Sequence, residues 1–134
     1  MSRGLPVSNP FLEYLGVEML SWEDGKCEFI LKIEPKHLNR QAVVQGGVIA
    51  TLLDLSCGYA GLRPDGKEEE AQHGVTITLT VNYLEATRAG HLRAVAKVTR
   101  SGRRIYFSAG EIFADDGTLV ATAQGSFKRT NLRH

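Results

Sequence analysis

Residues 43–62 read VVQGGVIATLLDLSCGYAGL, an almost wholly apolar or small segment with a single charge, Asp54, in its middle. Its pattern predicts a helix that opens at Gly46-Gly47 and runs to about Leu62. Such a helix is apolar on nearly all sides and must be covered all round, which constrains the fold more than any other feature of the chain. The run from Val48 to Leu62 is shorter than the roughly 20 residues a membrane-spanning helix needs, and it carries Asp54. It reads as a core helix and not as a membrane anchor.

The rest of the sequence supplies the cover. Asn9-Pro10 puts a capping side chain ahead of a proline at the first helical position, which predicts a short helix through about Tyr14 or Leu15. From Lys26 to Glu34, KCEFILKIE places Cys27, Phe29, Leu31 and Ile33 on one face at period 2, the mark of a strand with one dry face. Pro35 ends it, and PKHLNRQAVVQ forms a loop into the glycine pair. After the helix, RPDGKEEEAQH reads as a solvated connection. From Val75, VTITLTVNYL alternates throughout, with Val75, Ile77, Leu79, Val81 and Tyr83 on one face and Thr76, Thr78, Thr80 and Asn82 on the other. HLRAVAKVTR, RRIYFSAGEIFA and TLVATAQGSFKRT then follow with short turns, as an antiparallel meander. The expected order is short helix, strand, loop, long helix and four strands. An antiparallel sheet curling about a central helix, an α+β fold, meets the covering requirement.

With 134 residues the chain has the size of one domain, so a single domain over 1–134 is expected. Its 16 Lys and Arg against 15 Asp and Glu leave a formal charge of +1, which argues against a nucleic acid or an anionic membrane surface as partner. Cys27 and Cys57 sit in apolar patterns without disulfide or CxxC spacing, as expected of buried thiols in a reducing compartment. The N-terminal segment has no apolar run after a basic start, so a cytoplasmic location is the default. No His, Cys, Asp or Glu spacing suits a metal, and no G-x-S-x-G elbow suits a serine hydrolase.

Asp54 carries the chemistry. An isolated charge facing the interior costs several kcal/mol, so a bland core does not keep one. Either Asp54 shares a narrow polar stripe with Thr51 and Gly58 at a subunit edge, or it is a carboxylate at the mouth of a cleft, where a partly dry setting suits it to act as base or nucleophile. Gly46 and Gly47 favour the cleft. Their N–H groups open the helix without intrahelical partners, at the positive end of its dipole, and without Cβ atoms they admit a ligand oxygen closely. Asp54 lies about 12 Å further along the axis, so part of the site must come from a neighbouring helix or a second chain.

The segment HLNRQAVVQGGVIATLLDLSCG resembles the active-site segment of hotdog-fold acyl-CoA thioesterases of the phenylacetate-pathway type. That family has an asparagine, a His-Gly-Gly six residues later, and an Asp or Glu on the central helix. Asn39, Gly46, Gly47 and Asp54 meet the pattern, and GVTITLTVNYLEATRAG and GTLVATAQGSFK resemble the family's strands. The resemblance implies a hotdog homodimer or homotetramer that hydrolyses acyl-CoA, with coenzyme A as part of the substrate and no other cofactor. It implies Asp54 as nucleophile or general base, the Gly46 N–H as the group that polarises the carbonyl, and Asn39 holding the water or the carboxylate. It also implies that Thr76 reaches in from the facing subunit. The family's histidine is Gln45 here, an amide that can orient a carbonyl but cannot relay a proton. Gly58 stands where some relatives place a hydroxyl.

Further candidates surround this pattern. Tyr59 and Leu62 are expected in the acyl tunnel wall. RSGRR, residues 100–104, is either a solvated hairpin tip or a turn whose Gly102, Arg103 and Arg104 hold the phosphates of CoA, and SFKRT offers a second basic stretch. His37 and His73 flank the helix and read as surface or loop-packing residues. Two other functions fit some of these features: an acyl-CoA binding or sensing protein in which Gln45 has ended turnover, and an enoyl-thioester hydratase, which needs an Asp–His pair that the helix segment lacks.

Overall fold

The computed structural model describes residues 9–62 and 72–131. The connection over 63–71 with its glutamates, and the chain before residue 9, lie outside the described residues.

Helix α1 (Pro10–Leu15) starts where Asn9 Oδ1 accepts hydrogen bonds from the N–H groups of Phe11 and Leu12, and it buries Leu12 and Leu15. Strand β1 (Val17–Glu23) follows, and a two-residue turn at Asp24-Gly25, with Gly25 at φ +83°, returns the chain as β2 (Lys26–Lys32). Asp-Gly serves here because the turn twist that suits a hairpin needs positive φ. β1 is an element the sequence reading lacked. Its register shifts between Met19 and Ser21, so the period-2 signal breaks after three residues, with Met19 buried and Leu20 left 41% exposed.

After a short 3₁₀ turn, the central helix α2 (Gly46–Ala60) crosses one face of the sheet and touches all its strands. Ile49, Leu52, Leu53, Cys57 and Ala60 form its buried side. Burying an aliphatic side chain of this size contributes about 1.5–3 kcal/mol, so three such residues anchor the helix firmly. β3 (Gln72–Tyr83), β4 (His91–Ser101), β5 (Ile105–Phe113) and β6 (Leu119–Asn131) complete an antiparallel sheet in the order β1-β2-β4-β5-β6-β3. The α+β arrangement of a sheet wrapped on one helix is as expected. No helix among the described residues is long and apolar enough to cross a membrane.

β3 departs from its simple alternation. Thr76 pairs with Phe127, but Thr78 pairs with Ser126, so the register against β6 shifts at Ile77. Directly opposed residues share a face, and Phe127, Ala123 and Ala121 are core residues. Thr76, Leu79, Val81 and Tyr83 therefore face α2, while Val75, Thr78, Thr80 and Asn82 face away. The extra residue moves Thr76 from the threonine face to the helix face, the usual effect of a β-bulge.

Tyr106 locks the end of α2. Its ring stacks on Phe127 at 5.3 Å, and its hydroxyl donates to Gly58 O at 2.5 Å. A Cβ at Gly61 would lie 2.0 Å from Tyr106 Cδ2, and one at Gly74 would lie 2.4 Å from the hydroxyl, so both positions need glycine for close approach. Gly61→Ala is expected to destabilise the protein by about 3 kcal/mol in chemical denaturation, because the tyrosine has nowhere to move. Gly47→Ala, with nothing within 4 Å of the new Cβ, should change stability by less than about 0.5 kcal/mol.

The thiols follow their burial. Burial pushes the Cys57 thiol from an ordinary 9.0 up to about 12, with the charge of Asp54 acting in the same direction, and burial raises Cys27 and Tyr106 as well. A raised folded pKa means that both states hold the proton at neutral pH and the contribution is complete. Above pH 9.0 the unfolded chain releases a proton that folded Cys57 keeps until about 12, so stability falls as pH rises through that window. The urea midpoint should drop from about pH 8 to about pH 10.5, and Cys57→Ala should make that drop shallower.

Candidate active site

The predicted site residues gather at three places. At the start of α2, Gln45 is the residue before the helix and makes no side-chain cap, so the opening N–H groups of Gly46 and Gly47 have no partner among the described residues. These three residues are exposed. The loop that delivers them is folded by Asn39, whose Oδ1 accepts from the N–H groups of Gln41 at 2.9 Å and Val43 at 3.2 Å. Gln45 N–H is tied to His37 O, and Val44 N–H to Thr87 O. Leu38, Asn39, Arg40, Gln41 and Gln45 line an open depression of about 860 Å³.

His37 supports that loop from beneath and is fully buried. Its Nδ1 accepts from Glu34 N–H at 2.9 Å, so Nε2, 2.8 Å from Leu15 O, is the donor. Both ring nitrogens are spent on backbone, which makes it the loop-packing histidine anticipated. The β3 pattern by itself makes Tyr83 a sheet position only. In the structure its hydroxyl donates to Gly46 O at 2.8 Å and so fixes the helix start. The alternation places Tyr83 on the apolar face with Leu79 and Val81, toward α2, but gives no sign that its hydroxyl reaches the helix start.

The second place lies along the same helix. Asp54 is half-buried and its Oδ1 accepts from Thr76 Oγ1 at 2.7 Å. The sequence reading brought Thr76 in from a facing subunit, but this bond is made within one chain, because the β3 bulge turns Thr76 onto α2. Asp54, Leu55, Gly58, Tyr59, Leu62, His73, Thr76 and Phe127 are among the residues lining a cleft of about 250 Å³. Tyr59 packs edge-on against Trp22 at 5.1 Å and is tilted on Phe29, and burial raises its hydroxyl pKa. His73, expected at a surface or in loop packing, contributes to this lining.

A carboxylate held by a hydroxyl in a cleft of mixed polar and apolar lining has one oxygen committed and the other available to a ligand. A helix start with free N–H groups can accept a developing negative oxygen. Within one chain the two places are separated by eight residues of α2, about 12 Å of rise, so they are not brought together.

The third place is the turn between β4 and β5. Arg100, Arg103 and Arg104 are exposed there, with no ion pair among the described residues. Of the second basic stretch, Arg129 is taken up internally. Its guanidinium donates to the carbonyls of Gly61 and Gly102 and to Ser101 Oγ, and it covers the Tyr106 ring at 4.6 Å. Among the described residues no group of three His, Cys, Asp or Glu side chains could hold a metal ion.

A family model described as the thioesterase superfamily matches residues 41–121. The medium/long-chain acyl-CoA thioesterase YigI of Salmonella typhimurium is 24% identical over 130 residues, covering 88% of this chain and 84% of YigI. The structure of the conserved protein PA5202 from Pseudomonas aeruginosa superposes with a TM-score of 0.83 at 30% identity, over 97% of this chain and 100% of that one. The PaaI protein from the phenylacetic acid degradation operon of Escherichia coli shares the fold, with a TM-score of 0.83 at 23% identity over 92% of this chain and 86% of PaaI. Since the family match spans α2 and the three strands that follow it, and the fold is shared with these solved structures, the chain belongs to the thioesterase superfamily and is a hotdog-fold thioester hydrolase.

Proposed function

We propose that the substrate is an acyl-CoA and that Asp54 is the reactive carboxylate. The observation that carries this reading is the Thr76–Asp54 hydrogen bond of 2.7 Å, which fixes a carboxylate on the face of α2 that borders a cleft. As general base, Asp54 takes a proton from water, and the resulting hydroxide adds to the thioester carbonyl. As nucleophile, it adds to the carbonyl itself and water then opens the mixed anhydride. Either way the tetrahedral oxyanion is stabilised by the Gly46 N–H, with Gly47 beside it, and its collapse expels the CoA thiolate, which is protonated by Asp54 in the general-base route and by the proton released from the hydrolytic water in the nucleophile route. Gln45 orients the carbonyl and Asn39 holds the loop and the water. Tyr59 lines the acyl end, and Gly102, Arg103 and Arg104 hold the CoA phosphates. The reaction needs water and neither metal nor redox cofactor.

The active unit in this reading is a homodimer or homotetramer. β3 is a sheet edge that leaves Val75 50%, Ile77 53%, Tyr83 54% and Leu84 50% exposed, a long apolar edge of the kind proteins cover. In this reading two copies are related by a two-fold axis perpendicular to the sheet at that edge, which runs their α2 helices in opposite senses. The glycine pair of one copy then lies beside Asp54 of the other, which supplies what a single chain lacks. Free buried Cys27 and Cys57 fit a cytoplasmic location.

Asp54→Asn should lower kcat for thiol release from aryl- and fatty-acyl-CoAs by about 10³-fold while binding of a non-hydrolysable acyl-CoA analogue stays within about threefold. Full activity in that variant would remove Asp54 from the reaction. Thr76→Val should lower kcat by about tenfold with little change in KM, because it frees the carboxylate to turn without touching the substrate's remote parts. An unchanged kcat would mean that the hydroxyl only packs.

A further inference from the structure

We infer that Arg129 is a positioning residue for substrate: it fastens the β4–β5 turn to the end of α2 and so sets the nucleotide end of the substrate in register with Asp54. The inference rests on the proposed role of Arg103 and Arg104 as phosphate partners.

The geometry is that of a two-sided clamp. On one side Arg129 Nε donates to Gly61 O at 3.0 Å, at the end of α2. On the other, Nη1 donates to Gly102 O at 2.8 Å and reaches Arg103 O at 3.5 Å, while Nη2 donates to Ser101 Oγ at 2.7 Å. The backbone N–H of Arg129 also donates to Arg104 O at 2.8 Å. The guanidinium plane is backed by Tyr106, which is itself bonded to Gly58 O, one helical turn from Asp54. A continuous set of contacts therefore joins the turn to the wall of the Asp54 cleft.

Only a planar cation with donors on several edges can do this, since a lysine ammonium has the charge without the fork. The clamp also occupies the carbonyl oxygens of Gly102 and Arg103, which would otherwise repel a phosphate. The surroundings are strongly one-sided in charge. Residues 100–105 and 126–131 hold Arg100, Arg103, Arg104, Lys128 and Arg129 with no acid, in a chain whose formal charge is only +1.

The test compares an acyl-CoA with the same acyl group on N-acetylcysteamine, a thioester without the nucleotide, for the native protein, Arg129→Lys, Ser101→Ala and the double variant Arg103→Ala/Arg104→Ala. Arg129→Lys should raise KM for the acyl-CoA by about tenfold with kcat within about threefold, and should leave both constants for the short thioester unchanged. Ser101→Ala, which removes one exposed contact and leaves the core intact, should raise the same KM by about twofold, and it decides the matter if Arg129→Lys does not fold. If the double variant raises KM while Arg129→Lys and Ser101→Ala do not, the phosphate reading stands and the positioning role is overturned. If Arg129→Lys slows both substrates equally, Arg129 serves only the fold and the inference is likewise overturned. If the double variant leaves KM unchanged, the phosphate reading fails and the inference fails with it.

Discussion

Everything in this protein is arranged around the enclosure of α2. The helix has too little polar surface to stand in water, and the antiparallel sheet covers one side of it by bringing every strand into contact, leaving the opposite side half-exposed. Close approach is what makes the enclosure tight. Gly61 and Gly74 give Tyr106 the room to lie against the helix end and donate to Gly58 O, and Gly110 on β5 sits where a Cβ would meet Cys57 Sγ at 3.0 Å. The side chains that fill these gaps are large and fully buried, so the end of α2 has very little freedom.

The open face of the helix is the consequence that matters for chemistry. Thr51, Asp54, Leu55, Gly58 and Tyr59 stay half-exposed because the sheet covers the opposite side. One irregularity gives that face its carboxylate geometry. The register shift at Ile77 exchanges the faces of β3, so a threonine from the polar ribbon meets Asp54, and a tyrosine from the apolar ribbon meets the first glycine of the helix. Both ends of the site are thus set by the same strand.

Much of this was legible in the residues. The period-2 runs of the last three strands, the Asn9-Pro10 helix start and the length of α2 all follow from local patterning, which depends on side chains facing one environment consistently along an element. β1 was not legible, because its bulge at Met19 to Ser21 breaks the alternation, although Asp24-Gly25 was a hairpin signal in its own right. The faces of β3 were misjudged for the same reason. Its alternation is perfect in sequence, and only pairing with β6 reveals that one residue is extra. In both strands a bulge hides the pattern, since it changes which side chains face inward without changing the residues.

The sequence by itself determined that a nearly all-apolar helix with one aspartate must lie within an antiparallel sheet, and that a glycine pair opens the helix. It pointed to Gly46, Gly47 and Asp54 as candidates for chemistry, and the family resemblance added Asn39 and Thr76. Tertiary structure decided how they are joined. It gave Asp54 a hydroxyl from its own chain, tied Asn39 into the loop, made Tyr83 the brace of Gly46 and turned Arg129 inward as a clamp. The physical reason is that residue type and spacing fix what a group can donate or accept, whereas its actual partner depends on strand register and on which elements pack together, both of them long-range properties of the chain.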